Sequence, residues 1–148
     1  MHNIELLNKF LKDELSATET YQQALDKLKE NADLGNSEYL SPIFYEHKEA
    51  VSSIQALINQ LGGTPSEDSG VWGSWAQIVV DGAKLLGNSA TLKVLQEGEK
   101  NGADDYEKAL LDTELSVDIR TLIESKLLVS NQANIRTLDQ LLDTAKAA

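Results

Sequence analysis

LKVLQEGEKNGADDYEKALL, residues Leu92 to Leu111, decides how this chain folds. At about 100° per residue, Leu92, Leu95, Glu99, Gly102, Ala103, Tyr106 and Leu110 share one helical face, which sets a carboxylate in the middle of an apolar stripe. An isolated carboxylate in apolar surroundings is costly and tends to take up a proton, so the group needs a partner, a metal or a task. The pattern occurs a second time, 85 positions earlier, where Leu7, Glu14, Tyr21, Ala24 and Leu25 match Leu92, Glu99, Tyr106, Ala109 and Leu110. Two helices with matched inward acids predict an all-α chain built from a duplicated helical hairpin.

The first helix is expected from about Asn3 to Ala32, on the recurrence of Ile4, Leu7, Leu11, Glu14, Thr18, Tyr21, Leu25 and Leu28. Gly35, in the polar segment that follows, offers a left-handed cap. A second helix is expected to start at Ser37, or at Ser41 with Pro42 as its first helical residue. Its stripe is Ile43, His47, Ala50, Val51, Ile54, Leu57, Ile58 and Leu61, and Gly62-Gly63-Thr64-Pro65 ends it. The 27 residues from Gly62 to Asn88 form a crossover. They are enough to span a bundle ~30 Å long, so helices 2 and 3 are expected to run parallel while each hairpin is antiparallel. A short helix from Val71 to Leu86 is expected within it, its Trp72 and Trp75 anchoring the crossover. Helix 3 is expected from after Ser89 to about Thr113. Gly98 and Gly102 cost it helix propensity, which close approach of another group would explain. Helix 4 follows Ser116 with Ile123, Leu127, Leu128, Asn131, Ile135, Leu138, Leu141 and Leu142; Ile54, Leu57 and Leu61 match Ile135, Leu138 and Leu142 at an offset of 81. Residues 1–148 are thus expected to form one domain.

Composition narrows the function. With 41% apolar and 25% charged residues the chain has a soluble globular composition, and no apolar run approaches the roughly 20 residues of a membrane span. The segment MHNIELLNKF lacks the features of an export signal, so a cytoplasmic location is the expectation. Cysteine is absent, which excludes disulfides, thiolate metal sites and a cysteine nucleophile. The net charge of -11 has no basic cluster to offset it and disfavours nucleic acid as a partner. No phosphate loop, serine-hydrolase elbow or zinc-protease motif occurs. The outer stripe of helix 4 could support a homodimer, and no protein partner can be named.

Four helices, one long crossover and an inward glutamate on helices 1 and 3 together resemble the plan of ferritin-like four-helix bundles with two metal ions. That site takes one Glu from each of two helices and a Glu-x-x-His from each of the others, a donor set that suits iron or manganese. Placing the helices at a common depth puts His47-x-x-Ala50 and Leu128-x-x-Asn131 where the two Glu-x-x-His pairs belong. What remains is Glu14, His47 and Glu99, with Asn131 near and Glu46 at the edge of the helix 2 stripe. Glu124 also faces inward on helix 4, one to two turns from the required level. Two readings stay open. Glu14, His47, Glu99 and Glu46 could hold a metal ion, or Glu14 and Glu99 hydrogen-bond to His47, Tyr21 and Tyr106 in a polar cluster with no metal.

The order Glu19-x-Tyr21-x-x-Ala24, Glu46, Leu61-Gly62-Gly63-Thr64-Pro65, Trp75, Gly98-Glu99 and Tyr106-Glu107-Lys108-Ala109-Leu110 resembles an uncharacterised bacterial family with a ferritin-like fold. The resemblance implies distant kinship with ferritin and rubrerythrin bundles, and it carries no catalytic residues over. This chain departs from the family pattern at Gln96, where an acid is usual, and at Gln132, where a histidine is usual. The expectation is a ferritin-like protein of unassigned role, non-catalytic and without a cofactor, its metal centre degenerate. The alternative is an iron- or manganese-binding oxidoreductase that handles peroxide or iron.

Overall fold

The apolar stripes expected for the four long helices become buried helical faces in the computed structural model, which describes residues 2–30, 34–67 and 88–147. Helix α1 spans His2–Glu30, with Glu5 in its first turn and Lys27 and Lys29 in its last, the signs that favour the helix dipole. It buries Leu7, Phe10, Leu11, Glu14, Ala17, Tyr21, Ala24, Leu25 and Leu28 at spacings of three and four.

Helix α2 spans Leu34–Gln60 and so starts earlier than the sequence suggests. Gly35 lies inside it rather than capping α1, and neither Ser37 nor Ser41 is the start, because Pro42 sits in the helix interior. An interior proline costs about 3 kcal/mol through its missing N–H and its ring. Leu40, Ile43 and Phe44 are buried around it against α1, and burial of such side chains contributes about 1.5–3 kcal/mol each, which outweighs that loss. The far end of α2 stops where expected. Gly62 adopts φ +84°, its N–H donates to Asn59 O, and the Gly63 N–H donates to Ile58 O, the paired bonds of a glycine-terminated helix. Gly63 is needed for a different reason: a Cβ there would lie 2.7 Å from Ile4 of α1.

Helix α3 spans Asn88–Leu110, beginning one residue before Ser89 and ending short of Thr113. Arg120 donates to the carbonyls of Leu110 and Asp112 and so closes its C-terminus. Ser116 then accepts from the Ile119 N–H as the N-cap of α4, Val117–Leu122. A π-helical turn, Ile123–Leu127, joins α4 to α5, Leu128–Ala147. The expected crossover helix with Trp72 and Trp75 lies outside the described residues.

The core falls into two apolar clusters. One gathers Leu7, Phe10 and Leu11 with Ile54, Leu57, Ile58, Tyr106 and Ala109, and with Ile119, Ile123 and Leu127. The other gathers Tyr21, Leu25 and Leu28 with Leu40, Ile43 and Phe44, and with Leu92, Leu95 and Leu138. The order in which each helix passes from one cluster to the other gives its direction. α1 and the α4–α5 rod run one way while α2 and α3 run the other, so α2 and α3 are parallel. In the gap between the clusters, α1, α2, α3 and α5 place the buried polar residues Glu14, His47, Glu99 and Asn131. That shared gap is a polar layer inside an all-helical protein, and no strand occurs among the described residues.

Candidate functional site

The four residues of that layer are almost sealed from solvent, with exposures of 5% for Glu14, 4% for His47, 0% for Glu99 and 3% for Asn131. Their burial is tolerable because each charge meets a partner. The His47 ring lies between the two carboxylates, with Nδ1 at 2.5 Å from Glu14 Oε2 and Nε2 at 2.5 Å from Glu99 Oε1. An ionised carboxylate only accepts, so with both carboxylates ionised the two contacts place a hydrogen on each ring nitrogen, the imidazolium form of His47. Burial by itself lowers the His47 pKa, but the charges of Glu99 and Glu14 and their hydrogen bonds outweigh it and hold the pKa well above 6.5.

The tyrosines bond crosswise between the repeats. Tyr21 of α1 donates to Glu99 of α3 at 2.8 Å, and Tyr106 of α3 donates to Glu14 of α1 at 2.6 Å. Under the offset of 85 these two bonds are images of each other, so the duplication in sequence is a duplication in hydrogen bonding. Burial first, then the adjacent carboxylate, raises both phenol pKa values well above 10, and both remain donors at neutral pH. The rings are also wedged: Tyr21 stacks on His47 with centroids 5.2 Å apart, and Tyr106 packs against Phe10 at 4.8 Å.

Beyond this shared frame the halves differ. Glu99 receives a further bond from Asn131 Nδ2 at 2.6 Å and a long one from Asn134 at 3.4 Å. Gly102 makes room for Asn131, since a Cβ there would lie 3.1 Å from Asn131 Nδ2. This is the close approach anticipated for that glycine. Glu14 instead borders a cavity of about 30 Å³, lined also by Glu46, His47, Glu49, Lys126, Ser130 and Asn131, with room for a water molecule. Lys126 at its mouth donates to Ser53 across the α2–α5 groove at 3.3 Å.

Sequence reasoning placed Glu14, His47 and Glu99 together, and the structure does so. Glu46 stands apart, exposed on the outer lip of the cavity; burial there raises its carboxyl pKa, while His47 and a hydrogen bond from Asn134 oppose the rise. Glu124 does not face inward: it is exposed, 3.9 Å from Arg120. The π-helical turn accounts for this, because its wider winding sends Ile119, Ile123, Leu127 and Asn131 inward at steps of four and leaves Glu124 on the outside. Asn134 was missed, although it lies three residues from Asn131 on the same face.

The donor set does not fit the two-ion centre that a ferritin-like fold implies. The residues that would supply Glu-x-x-His are His47-x-x-Ala50 and Leu128-x-x-Asn131, and the one imidazole present has both nitrogens committed to carboxylates. Among the described residues no group of three or more His, Asp or Glu side chains is disposed to hold a metal ion.

Residues 2–112 match a protein family described as a domain of unknown function, DUF2383, and the chain belongs to that family. The match covers α1 to α3 and ends before the α4–α5 rod that supplies Asn131 and Asn134. No curated protein and no solved structure matches the chain. No helix among the described residues is long and apolar enough to cross a membrane.

Proposed function

We propose that this protein is a ferritin-like four-helix bundle whose metal layer has become a proton-bridged polar cluster, and that it acts without catalysis, as a structural or partner-binding member of its family. The observation that supports this most directly is the His47 ring seated between Glu14 and Glu99, with the remaining oxygens of both carboxylates taken by Tyr106 and Asn131. A cluster so satisfied orders the middle of the bundle and fixes the register of four helices. The parallel course of α2 and α3, which a long crossover permits, supports the ferritin-like assignment.

The rival reading, an iron- or manganese-binding oxidoreductase, draws on the carboxylate-rich cavity beside Glu14. Metal content decides between them. Wild type and Glu14→Ala/Glu99→Ala are purified, incubated with Fe(II), Mn(II) or Zn(II), desalted and assayed by elemental analysis. The proposal expects no stoichiometric metal in either protein; one ion or more per wild-type chain, lost in the double variant, would establish the rival.

A further inference from the structure

The poor fit between this donor set and a metal centre has a specific local cause. The space between Glu14 and Glu99 is a seat for a cation, framed by two buried carboxylates, two tyrosine hydroxyls and the Asn131 carboxamide. Its occupant is the chain's own imidazolium. We propose that His47 is a tethered plug that keeps divalent cations out, and that the framework around it remains competent to hold one such ion once the ring is removed. This inference rests on the reading of the layer as metal-free.

Three observations converge on it. First, the ring touches both carboxylates at 2.5 Å, so an ion placed between them has to displace it. Second, the frame is held from outside the ring. Tyr106 orients Glu14, and Tyr21 and Asn131 orient Glu99, so truncating His47 leaves both acids aimed inward. Third, the seat has an approach: the cavity bordered by Glu14, Glu46, Glu49 and Ser130 reaches His47 from the α2–α5 side. Without the imidazolium two buried negative charges lack a counter-ion, and a hard divalent cation that keeps some of its waters restores the balance with oxygen ligands. Asn131, the counterpart of Ala50 at the offset of 81, adds a side-chain oxygen that a carboxamide flip would present.

The test titrates Mn(II) into full-length wild type, His47→Ala and His47→Ala/Glu99→Gln, with binding read by electron paramagnetic resonance and folding by circular dichroism. The expected result is one Mn(II) per chain in His47→Ala, bound at least tenfold tighter than in wild type, and loss of that binding when Glu99→Gln is added. A folded His47→Ala protein that takes no more Mn(II) than wild type overturns the plug. Tight wild-type binding that disappears in Glu14→Ala/Glu99→Ala overturns the metal-free reading instead, so the two failures are distinguishable. Should His47→Ala be unfolded without additives, His47→Gly is refolded with Mn(II) or with free imidazole. Rescue by Mn(II) supports the plug; rescue by imidazole alone, or by neither, overturns it.

Discussion

If His47 carries a proton between two carboxylates, the folded protein must lose stability as pH rises above the ordinary imidazole range. The unfolded imidazole titrates near 6.5, and the folded one well above that. Below 6.5 both states are protonated and the full contribution is present. Above 6.5 the unfolded state gives up its proton and the folded state keeps it, so unfolding releases a proton and stability falls as pH rises, until the folded imidazolium also titrates. The slope is about 1.4 kcal/mol per pH unit, or about 2.7 kcal/mol between pH 7 and pH 9 while the folded ring stays protonated. Neighbouring shifts act elsewhere. Tyr21 and Tyr106 titrate above 10; Glu46, raised from 4.5, changes on the acid side, as does Asp112, lowered from 3.8 by the Glu114 N–H and by His2. Urea unfolding at pH 7, 8 and 9 should therefore show the wild-type midpoint falling at unchanged slope, by up to about 1–2 M while the folded ring stays protonated. His47→Gln should be less stable at pH 7 and nearly flat over the same range. A flat wild-type profile, or an equally steep His47→Gln profile, refutes the reasoning.

The tyrosines provide an internal comparison. Tyr106→Phe and Tyr21→Phe each remove a hydrogen bond to a buried charged acceptor, a loss of about 1.5–3 kcal/mol. Tyr106→Phe should be the costlier in chemical denaturation, because among the described residues Glu14 then retains His47 as its side-chain donor while Glu99 retains His47, Asn131 and Asn134. Gly102→Ala gains about 1 kcal/mol of helix propensity yet crowds Asn131 Nδ2 at 3.1 Å, straining its hydrogen bond to Glu99. The measured change should be destabilising, and smaller in an Asn131→Ala background. Ser16→Ala should leave stability unchanged or raise it by about 1 kcal/mol in thermal melts, since the buried Ser16 hydroxyl has no hydrogen-bond partner among the described residues.

A repeated helical stripe with an acid in it carries information about facing and spacing, both of which are local properties of a chain. Glu14 and Glu99 could therefore be placed inside the protein, Ser116 and Gly62 at helix ends, and the hairpins recognised as copies, from residue order alone. Local pattern also located the common depth of Glu14, His47, Glu99 and Asn131, because helical rise converts residue number into height. Helix starts were less legible: Pro42 signals a first turn, and packing of Leu40, Ile43 and Phe44 against α1 carries the helix back through it.

Partner choice belonged to the tertiary structure. Which tyrosine reaches which glutamate depends on how far apart two helices lie, and the answer is the crossed one, each phenol serving the other repeat. The outward turn of Glu124 depends on one π-helical turn, which no hydrophobic periodicity announces. Whether a single imidazole could span two carboxylates depends on the width of the gap between α1 and α3. Sequence specifies the faces that must be buried, and only the packed distance between those faces decides whether a proton or a metal ion fills the space they leave.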